Sequence, residues 1–492
     1  MKKNRKILAA IMGLMIVCSI TVSADSPYKN YTYSSEKEKQ CEPQAVYATK
    51  SLDGFSMNMG RLAQPSDIFI FDNKLYISDT GNNRIVICGL NGENAYAVNS
   101  FLNNGKTDTF NTPTGLFVTE DGLIYICDTE NGRIVVLNPD GTLNTVYTRP
   151  DTKLLADDVI YKPTRVVVDS AKRIFVISDN VNLGIIEMDK NGQFVGFFGA
   201  IEVQYNAYEY FLKMIATDEQ KATMSVTVPT EYSNIDIDEK GFIYTTVNVF
   251  DRGNFREDIF IRRLNPLGND VLIRDGYNMP MGDVVYETDA ETDQKLTSSF
   301  VDIKCDVSGM YSALDAKYGR IFTYNKQGYL MYVFGGLGDS LGQFDEPVAI
   351  EISGDNYFVL DRNRGNIVIF SPTEYGQLFK KAIVSYEKRD YEAADNYWNN
   401  ALKYTGKSQM VYYQIGKTFF KNEQYEDALR FFKFSNKREG YSQAFEKLRI
   451  IFIDKSFTTV LVLIMLAIVG FAVMKAVKRF QKSRKAENKK QC

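Results

Sequence analysis

The segment LYISDTGNNRIVI, Leu75–Ile87, holds six polar or small residues between two apolar runs. The runs are rich in β-branched and aromatic residues, which favour strands, while the residues between them favour a turn. The segment therefore predicts a β-hairpin. We call the six residues that begin with Asp79 and end with Arg84 the knot, because its recurrence along the chain decides the fold.

The knot recurs, and its well-kept neighbouring copies lie about 50 residues apart. Its first residue is an aspartate in five copies: Asp79, Asp128, Asp179, Asp315 and Asp361. Five positions later the copies carry Arg84, Arg133, Gly184, Arg320 and Asn366. An isoleucine follows in every copy. Such a spacing indicates a repeat of one supersecondary unit.

A sixth, weaker copy lies between the third and the fourth of these, with NIDIDEKGFIYTTV followed by IFIRRLNPLGNDVLI. A longer loop, 248–258, replaces its knot. Each unit is predicted to hold four short strands, with Asn-Gly, Asp-Gly or Gln-Gly turns such as Asn91-Gly92. Four short strands bury their faces only by stacking on neighbouring sheets around an axis. The fold class is therefore predicted as mainly β, a six-bladed β-propeller over 46–371 in which residues 46–56 complete the last blade.

Three segments resemble NHL repeats: FGGLGDSLGQFDEPVAI, LYISDTGNNRIVI and IYICDTENGRIVVL. The resemblance covers about 60–370 in six units, of which the first, second and sixth match best. The third unit lacks the arginine, the fourth the knot and the fifth the proline that precedes the other units. The resemblance implies an NHL-type propeller, a fold used mostly for binding. The chain is also similar to gluconolactonase-like propellers, which implies catalysis with a divalent metal held by Glu, Asn and Asp.

The repeated polar residues are predicted to be structural, because a catalytic group is needed once while these recur. The aspartates can accept hydrogen bonds from turn amides, and the arginines can reach nearby carbonyls or carboxylates. These positions are Asp79, Arg84, Asp128, Arg133, Asp179, Asp315, Arg320 and Asp361. No spacing singles out catalytic or metal-ligating residues, so no cofactor is predicted. The alternative is Ca²⁺ or another divalent cation with oxygen ligands.

Two further segments have helical spacing. Residues 205–226 are predicted as a helical insertion on one face of the ring. Over 373–453, a 34-residue repeat resembles the tetratricopeptide repeat, with small residues Ala394, Gly416 and Ala428 where paired helices would touch. A last helix at about 441–451 is predicted to cap the repeats. This module would serve as a rigid stalk or as a docking surface.

The two ends of the chain suggest export and anchoring. Residues 1–24 have a basic start, an apolar run and small residues before a cleavage point, as signal peptides do. A linker is predicted at 25–45. Residues 456–474 carry no charge and are long enough to span a bilayer, and 475–492 form a basic tail. Because basic flanks stay in the cytoplasm, the protein is predicted to be a single-pass protein of the cell membrane with an extracellular N-terminal ectodomain.

Composition excludes several classes of function. The net charge of −3 argues against a nucleic-acid binder. The chain has no histidine, so it can form neither a Ser-His-Asp triad nor a zinc site with imidazole ligands. The cysteines match no metal motif, and a bridge between Cys88 and Cys127 stays open as an alternative.

The sequence thus predicts a membrane-anchored extracellular binding or scaffold module with a protein partner, a carbohydrate-type ligand, or both. Similarity to proteins that accompany sugar importers suggests a role beside a carbohydrate transporter. The alternative is a metal-dependent, lactonase-like hydrolase on the propeller axis. A purely structural scaffold is the third interpretation.

Overall fold

The structure is a computed structural model that describes residues 26–155, 158–181, 183–199, 232–247, 260–288 and 295–488. The chain divides into two compact units. The first comprises Met1–Thr32 with Cys41–Gly376, and the second comprises Tyr33–Gln40 with Gln377–Cys492.

The first unit is a six-bladed β-propeller, as predicted. Within each of the first five blades the strands pair antiparallel in chain order, and blade 6 adds Val46–Asp53 after its three consecutive strands. The first strand of each blade contacts the first strand of the next, and that of the sixth blade contacts that of the first. The first strands therefore line a closed ring around the axis.

The strand bounds follow, blade by blade. Blade 1 has Asp67–Phe71, Lys74–Asp79, Arg84–Gly89 and Tyr96–Val98; blade 2 has Pro113–Val118, Ile124–Asp128, Arg133–Leu137 and Leu143–Thr148; blade 3 has Lys162–Val168, Ile174–Asp179, Ile185–Met188 and Phe194–Phe198. Blade 4 has Tyr232–Ile237, Ile243–Val247 and Ile261–Leu264; blade 5 has Phe300–Cys305, Tyr311–Asp315, Arg320–Tyr324 and Leu330–Gly335; blade 6 has Pro347–Ser353, Asn356–Asp361, Asn366–Pro372 and Val46–Asp53. Three further hairpins pair Asn30–Tyr33 with Lys39–Glu42, Ser100–Asn103 with Lys106–Thr109, and Val284–Thr288 with Lys295–Thr297.

The ring closes with strands from both sides of the propeller sequence. Val46–Asp53 pairs with Asn366–Pro372, with Leu52 opposite Ile367. The prediction that residues 46–56 supply the missing outer strand of the last blade is confirmed for these residues.

The blades bury one another. Ile124–Asp128 in the middle of blade 2 is buried along its whole length, because neighbouring blades cover both faces of the sheet. Ile85 and Ile87 of blade 1 share one apolar cluster with Leu116 and Ile126 of blade 2. This explains why the middle strands read as nearly continuous apolar runs.

The knots of blades 1 and 2 are tight turns. Each contains a short 3₁₀ turn, Thr80–Asn82 or Thr129–Asn131. The residue that follows is left-handed, with φ of 50° at Asn83 and 60° at Gly132. Asparagine and glycine tolerate this conformation better than other residues, which accounts for the NN and NG pairs in the two knots.

Parts of the prediction differ from the structure. Within the described residues, blade 4 has three strands, and an isolated bridge between Leu264 and Asp270 stands where a fourth would begin. The predicted linker at 25–45 contains a hairpin whose first strand is buried at all four positions. The predicted signal peptide, the helical insertion at 205–226 and the loop at 248–258 lie outside the described residues.

The second unit is helical, with α1 Glu374–Glu387, α2 Tyr391–Thr405, α3 Gln409–Lys421, α4 Tyr425–Phe434 and α5 Arg438–Asn488. Side chains cap two of these helices. Asp390 accepts a hydrogen bond from the Ala393 amide at the start of α2, and Ser408 accepts one from the Val411 amide at the start of α3.

The predicted small residues of the helical unit lie at helix contacts. Ala394 and Ala428 are fully buried. A Cβ placed on Gly416 would lie 2.8 Å from the Phe432 ring, so α3 and α4 approach closely there. Helices α2 and α4 begin 34 residues apart, at Tyr391 and Tyr425, while the assignment to the tetratricopeptide family stays a prediction.

Helix α5 is continuous, whereas the sequence predicted a capping helix and a separate membrane helix. Its portion Arg438–Lys482 contains an apolar window of mean hydropathy 2.7 that is unburied, so this helix could cross a membrane. Sequence periodicity did not show this continuity, since the charged residues Asp454 and Lys455 separate the two apolar stretches.

Candidate functional site

In blades 1 and 2, the knots tie each blade to the chain segment that leads into it. Asp79 Oδ1 accepts a hydrogen bond from the Ala63 amide at 2.7 Å, and its Oδ2 lies 2.6 Å from Arg84 Nε. Arg84 Nη2 in turn donates to the Met59 carbonyl at 2.8 Å. The Asp79 carboxylate is fully buried, and it also accepts a hydrogen bond from Asn82 Nδ2 at 2.8 Å. These contacts hold the knot against the segment that precedes the blade, which is a structural role.

Blade 2 repeats the arrangement. Asp128 accepts from the Asn111 amide at 2.6 Å and pairs with Arg133 Nε at 2.7 Å. Arg133 also forms a bidentate pair with Asp108, whose pKa the Arg133 hydrogen bonds hold well below its ordinary value. The two well-kept copies therefore share one design.

The other copies depart from it. Asp179 is exposed, in the blade where glycine replaces the arginine. In blade 5, Arg320 donates to Asp283, which also accepts from the Tyr31 hydroxyl at 2.6 Å. Asp315 instead accepts from Ser298 Oγ and the Ser299 and Lys317 amides, and burial raises its pKa to about 6.

Blade 6 restores the tie with a different arginine. Asp361 accepts from the Asp345 amide at 2.7 Å, and Arg364 Nε lies 3.7 Å from its carboxylate. Arg364 also donates to the Gln343 carbonyl at 2.9 Å. The arginine of blade 6 thus lies three positions after the aspartate. The residue five positions after Asp361, where blades 1, 2 and 5 have arginine, is Asn366.

The structure brings together a second polar set that the sequence did not single out. Alternate residues of the first strands face the axis from all six blades. These residues line a cavity of about 30 Å³: Asp67, Phe69, Phe117, Arg165, Val167, Asn234, Asp236, Asp302, Lys304 and Glu351. Five blades contribute charged residues to this wall, while blade 2 contributes Phe117, and the ion pairs of Lys304 join blades 4, 5 and 6.

Two of the axial carboxylates bind backbone amides of neighbouring blades. Asp67 accepts from the Leu116 amide at 2.8 Å, and Asp302 accepts from the Ile350 amide at 2.6 Å. Asp302 also accepts from its own neighbour Ile303 and from Asn234. Burial raises the pKa of Asp302 well above its ordinary value. These contacts join consecutive blades around the axis.

The other charged residues meet at Lys304. Its Nζ lies 3.0 Å from Asp236 Oδ1 and 2.9 Å from Glu351 Oε1. The Phe69 ring centroid is 4.8 Å from the same nitrogen, a distance at which cation–π attraction operates. The Cys305 thiol donates to Asp236 at 2.9 Å. Burial raises the pKa of Glu351 to about 8, against the opposing effect of Lys304.

The gluconolactonase-like alternative requires Glu, Asn and Asp around one metal ion. Glu351, Asn234 and Asp302 do line the same cavity, from blades 6, 4 and 5. However, Asn234 Oδ1 accepts from the Ile235 amide, and its Nδ2 donates to Asp302. Among the residues that the structure describes, no three His, Cys, Asp or Glu side chains are grouped to hold a metal. The Asn234 side chain is therefore engaged within the fold, and a metal held by Glu, Asn and Asp stays a prediction.

Exposed large apolar side chains concentrate on one face of the propeller. We call the face that carries the knots and the blade-to-blade connections the knot face, and the opposite one the turn face. Seven such residues of the described chain lie in knot-face loops: Phe55, Leu102, Leu154, Ile160, Leu183, Leu337 and Leu341. Two, Leu267 and Val307, lie in turn-face loops, and the other five of the described propeller lie on outer strands or after the third strand of blade 4: Tyr47, Tyr96, Val195, Val271 and Ile273. Isolated exposed apolar residues are ordinary, but this asymmetry distinguishes the faces.

Comparison with known proteins agrees with the repeat. Residues 110–137, which hold the first three strands of blade 2, match the NHL repeat family. No curated protein matches the chain. The fold and the repeat together define the class of protein: a six-bladed β-propeller with an NHL repeat in its second blade.

Three of the solved structures that are similar to this chain are described here by name. Virginiamycin B lyase from Staphylococcus aureus has 12% identity and a TM-score of 0.40, over 66% of this chain and 99% of that one. A streptogramin B lyase has 12% identity and a TM-score of 0.38, over 67% and 98%. A Bacteroides thetaiotaomicron protein of unknown function has 13% identity and a TM-score of 0.42, over 70% and 76%.

Proposed function

We propose that this chain is a membrane-anchored binding module whose propeller docks a protein partner on the knot face. The observation that carries the proposal is the concentration of exposed apolar side chains in the knot-face loops. Leu102 and Ile160 keep 68% and 66% of their surface in solvent. Apolar residues presented on rigid blades fit the apolar centre of a protein–protein interface.

The small size of the axial cavity also supports a partner that binds on the knot face. Its cavity of about 30 Å³ has room for about one water molecule, so it offers little space for an organic ligand. A partner would therefore bind over the loops. A carbohydrate-type ligand stays a prediction, since the large aromatic residues of the blades are mostly buried.

The anchor and orientation belong to the proposal. Helix α5 supplies an apolar segment of sufficient length, and the residues after 475 are strongly basic. Basic flanks favour the cytoplasmic side, which would leave the residues before the apolar segment of this helix outside the cell. We further propose a carbohydrate transporter as the partner to examine first, on the similarity of the domain layout alone.

The test compares matched charge substitutions on the two faces. Full-length protein carrying Leu102→Asp or Ile160→Asp would be extracted from its own membrane in mild detergent, beside Leu267→Asp and Val307→Asp as turn-face controls. All four side chains are exposed, so the fold should tolerate the changes. Copurifying proteins would be identified by mass spectrometry and confirmed by reciprocal purification.

We expect one defined partner that copurifies with the wild type and with both turn-face variants. The two knot-face variants should lose it, and transporter subunits would support the finer proposal. Recovery of the wild type alone, or equal retention by all four variants, would contradict the knot face as a docking surface.

A further inference from the structure

The centre of the propeller contains a cation that belongs to the chain itself. Lys304 lies in blade 5, and the two carboxylates that contact its ammonium come from Asp236 in blade 4 and Glu351 in blade 6. Their side chains are 16%, 7% and 5% exposed, in that order. The three blades thus meet at one charge in a largely buried place.

The groups around the Lys304 ammonium are those that bind a cation. Two carboxylate oxygens lie within 3.0 Å of the nitrogen, and the Phe69 ring lies beside it. Burial alone would lower the pKa of Lys304, but Asp236 and Glu351 raise it well above its ordinary value. The ammonium therefore stays charged in the folded protein.

Three of the remaining axial groups are committed to the fold, while Arg165, a second cation in the wall of the cavity, donates from Nη1 to the Thr164 carbonyl at 2.9 Å. Asp67 and Asp302 accept from backbone amides, and Asn234 bonds both to the backbone and to Asp302. The donor set that a divalent metal would need is consequently used elsewhere, and the small cavity leaves room for about one water.

We propose that Lys304 is a built-in counter-ion that occupies the axial cation position, so that the propeller closes without a metal. The ion pairs of Lys304 then hold blades 4, 5 and 6 together at the axis. Metal-dependent hydrolysis is not the function of this site. Removal of the lysine side chain leaves the carboxyl groups of Asp236 and Glu351 around an opened space, which a small cation from solution can enter.

The test is cation rescue of full-length protein in detergent, followed by thermal unfolding. Wild type, Lys304→Ala and a charge-free control, Asp236→Asn/Lys304→Met/Glu351→Gln, would each be titrated with methylammonium chloride. Choline chloride of equal ionic strength serves as the salt control, and CaCl₂ forms a separate series. Methylammonium reproduces the lysine head group, whereas choline is too large for the opened space.

Lys304→Ala should unfold at a lower temperature than the wild type. Methylammonium at ten times its Kd should raise the unfolding temperature of this variant by about 3 °C, with no effect on the wild type or the charge-free control. A saturable Ca²⁺ stabilisation of the wild type would overturn the proposal, because the axis would then hold a metal beside Lys304. An unchanged, cation-insensitive Lys304→Ala variant would overturn it as well.

A second variant keeps the test decisive if Lys304→Ala does not fold. Lys304→Ser keeps a small hydroxyl in place of the charged side chain and still leaves the opened space, and its folded yield would be measured with and without methylammonium during purification. Rescue of either variant supports the built-in counter-ion. Absence of rescue in both, with the charge-free control folded, would contradict it.

Discussion

At the residue scale, Asp315 shows how one repeat position can change its role. Asp79 and Asp128 pair with the arginine five positions later, whereas the arginine of blade 5 turns to Asp283. Asp315 is left with hydroxyl and amide donors in a buried setting, and burial raises its pKa to about 6. A structural position has thereby become a group that titrates in a moderately acidic range.

The pH dependence of stability follows from this pKa. The folded value of about 6 lies above the value of about 4 in an unfolded chain, so protonation favours the folded state. Stability from Asp315 is complete below pH about 4 and is lost as the pH rises through about 6. The free energy of unfolding of Asp315→Asn relative to the wild type should therefore increase by about 3 kcal/mol between pH 4 and pH 7.5.

Chemical denaturation at several pH values would measure this difference. Asp140→Asn is a suitable control, because Asp140 lies on an exposed turn where hydrogen bonds from Thr142 lower its pKa. The control should not reproduce the slope. Parallel stability curves for Asp315→Asn and the wild type would show that the carboxyl of Asp315 titrates normally.

The knots and the axis differ in how far sequence could predict them. Asp79 and Arg84 are five positions apart on facing strands, so their pairing follows from one hairpin. Lys304 and its partners come from three blades, and each looks locally like one polar residue in an alternating strand. One signal was available in the sequence. Polar residues stand at alternate positions of the first strands, as Asp302 and Lys304 do, although the interior of a ring of strands favours apolar residues.

At the element scale, the close contact between α3 and α4 depends on Gly416. Alanine normally stabilises a helix relative to glycine by about 1 kcal/mol. Here the added Cβ would lie 2.8 Å from the buried ring of Phe432. We therefore expect Gly416→Ala to lower the unfolding temperature of the helical unit despite the better helix propensity.

A double substitution separates the two effects. Phe432→Leu alone should destabilise the unit by removing packed ring atoms, and it should make Gly416→Ala neutral or favourable. Thermal unfolding of full-length protein, followed by the fluorescence of Trp398 in the same unit, would report the four members of the cycle. Additive effects of the two substitutions would contradict a direct contact.

Element boundaries were predictable where a local signal existed. The Asn-Gly and Asp-Gly turns mark hairpins, and the capping residues Asp390 and Ser408 mark helix starts. The hairpin that begins at Asn30 was missed because its pairing depends on distant partners, such as the Val333 amide that donates to Asn30 Oδ1. Strands of this kind have no local signature.

At the scale of the whole molecule, natural cysteines can test the proposed orientation. Cys41 is exposed, while Cys88 and Cys127 are buried and unpaired among the described cysteines, so the structure does not contain the bridge considered between them. Burial raises the pKa of Cys88 to about 11, which keeps its thiol unreactive. Cys492 belongs to the basic tail.

A membrane-impermeant maleimide should label Cys41 on intact cells and Cys492 only after permeabilisation. Cys41→Ser should abolish the external labelling, and Cys492→Ser should abolish the additional labelling of opened cells. Labelling of Cys492 on intact cells would reverse the proposed orientation. External labelling that persists in Cys41→Ser would show that another thiol is accessible.

The way the ring closes has a consequence for biosynthesis. Thr49 donates to the Ile369 carbonyl, a contact between residues 320 positions apart. A ribosome therefore releases the closing strand long before its partner exists, and a nascent chain interrupted before blade 6 leaves that strand unmatched. Two complete chains kept close together on a bilayer could exchange this strand, each completing the last blade of the other.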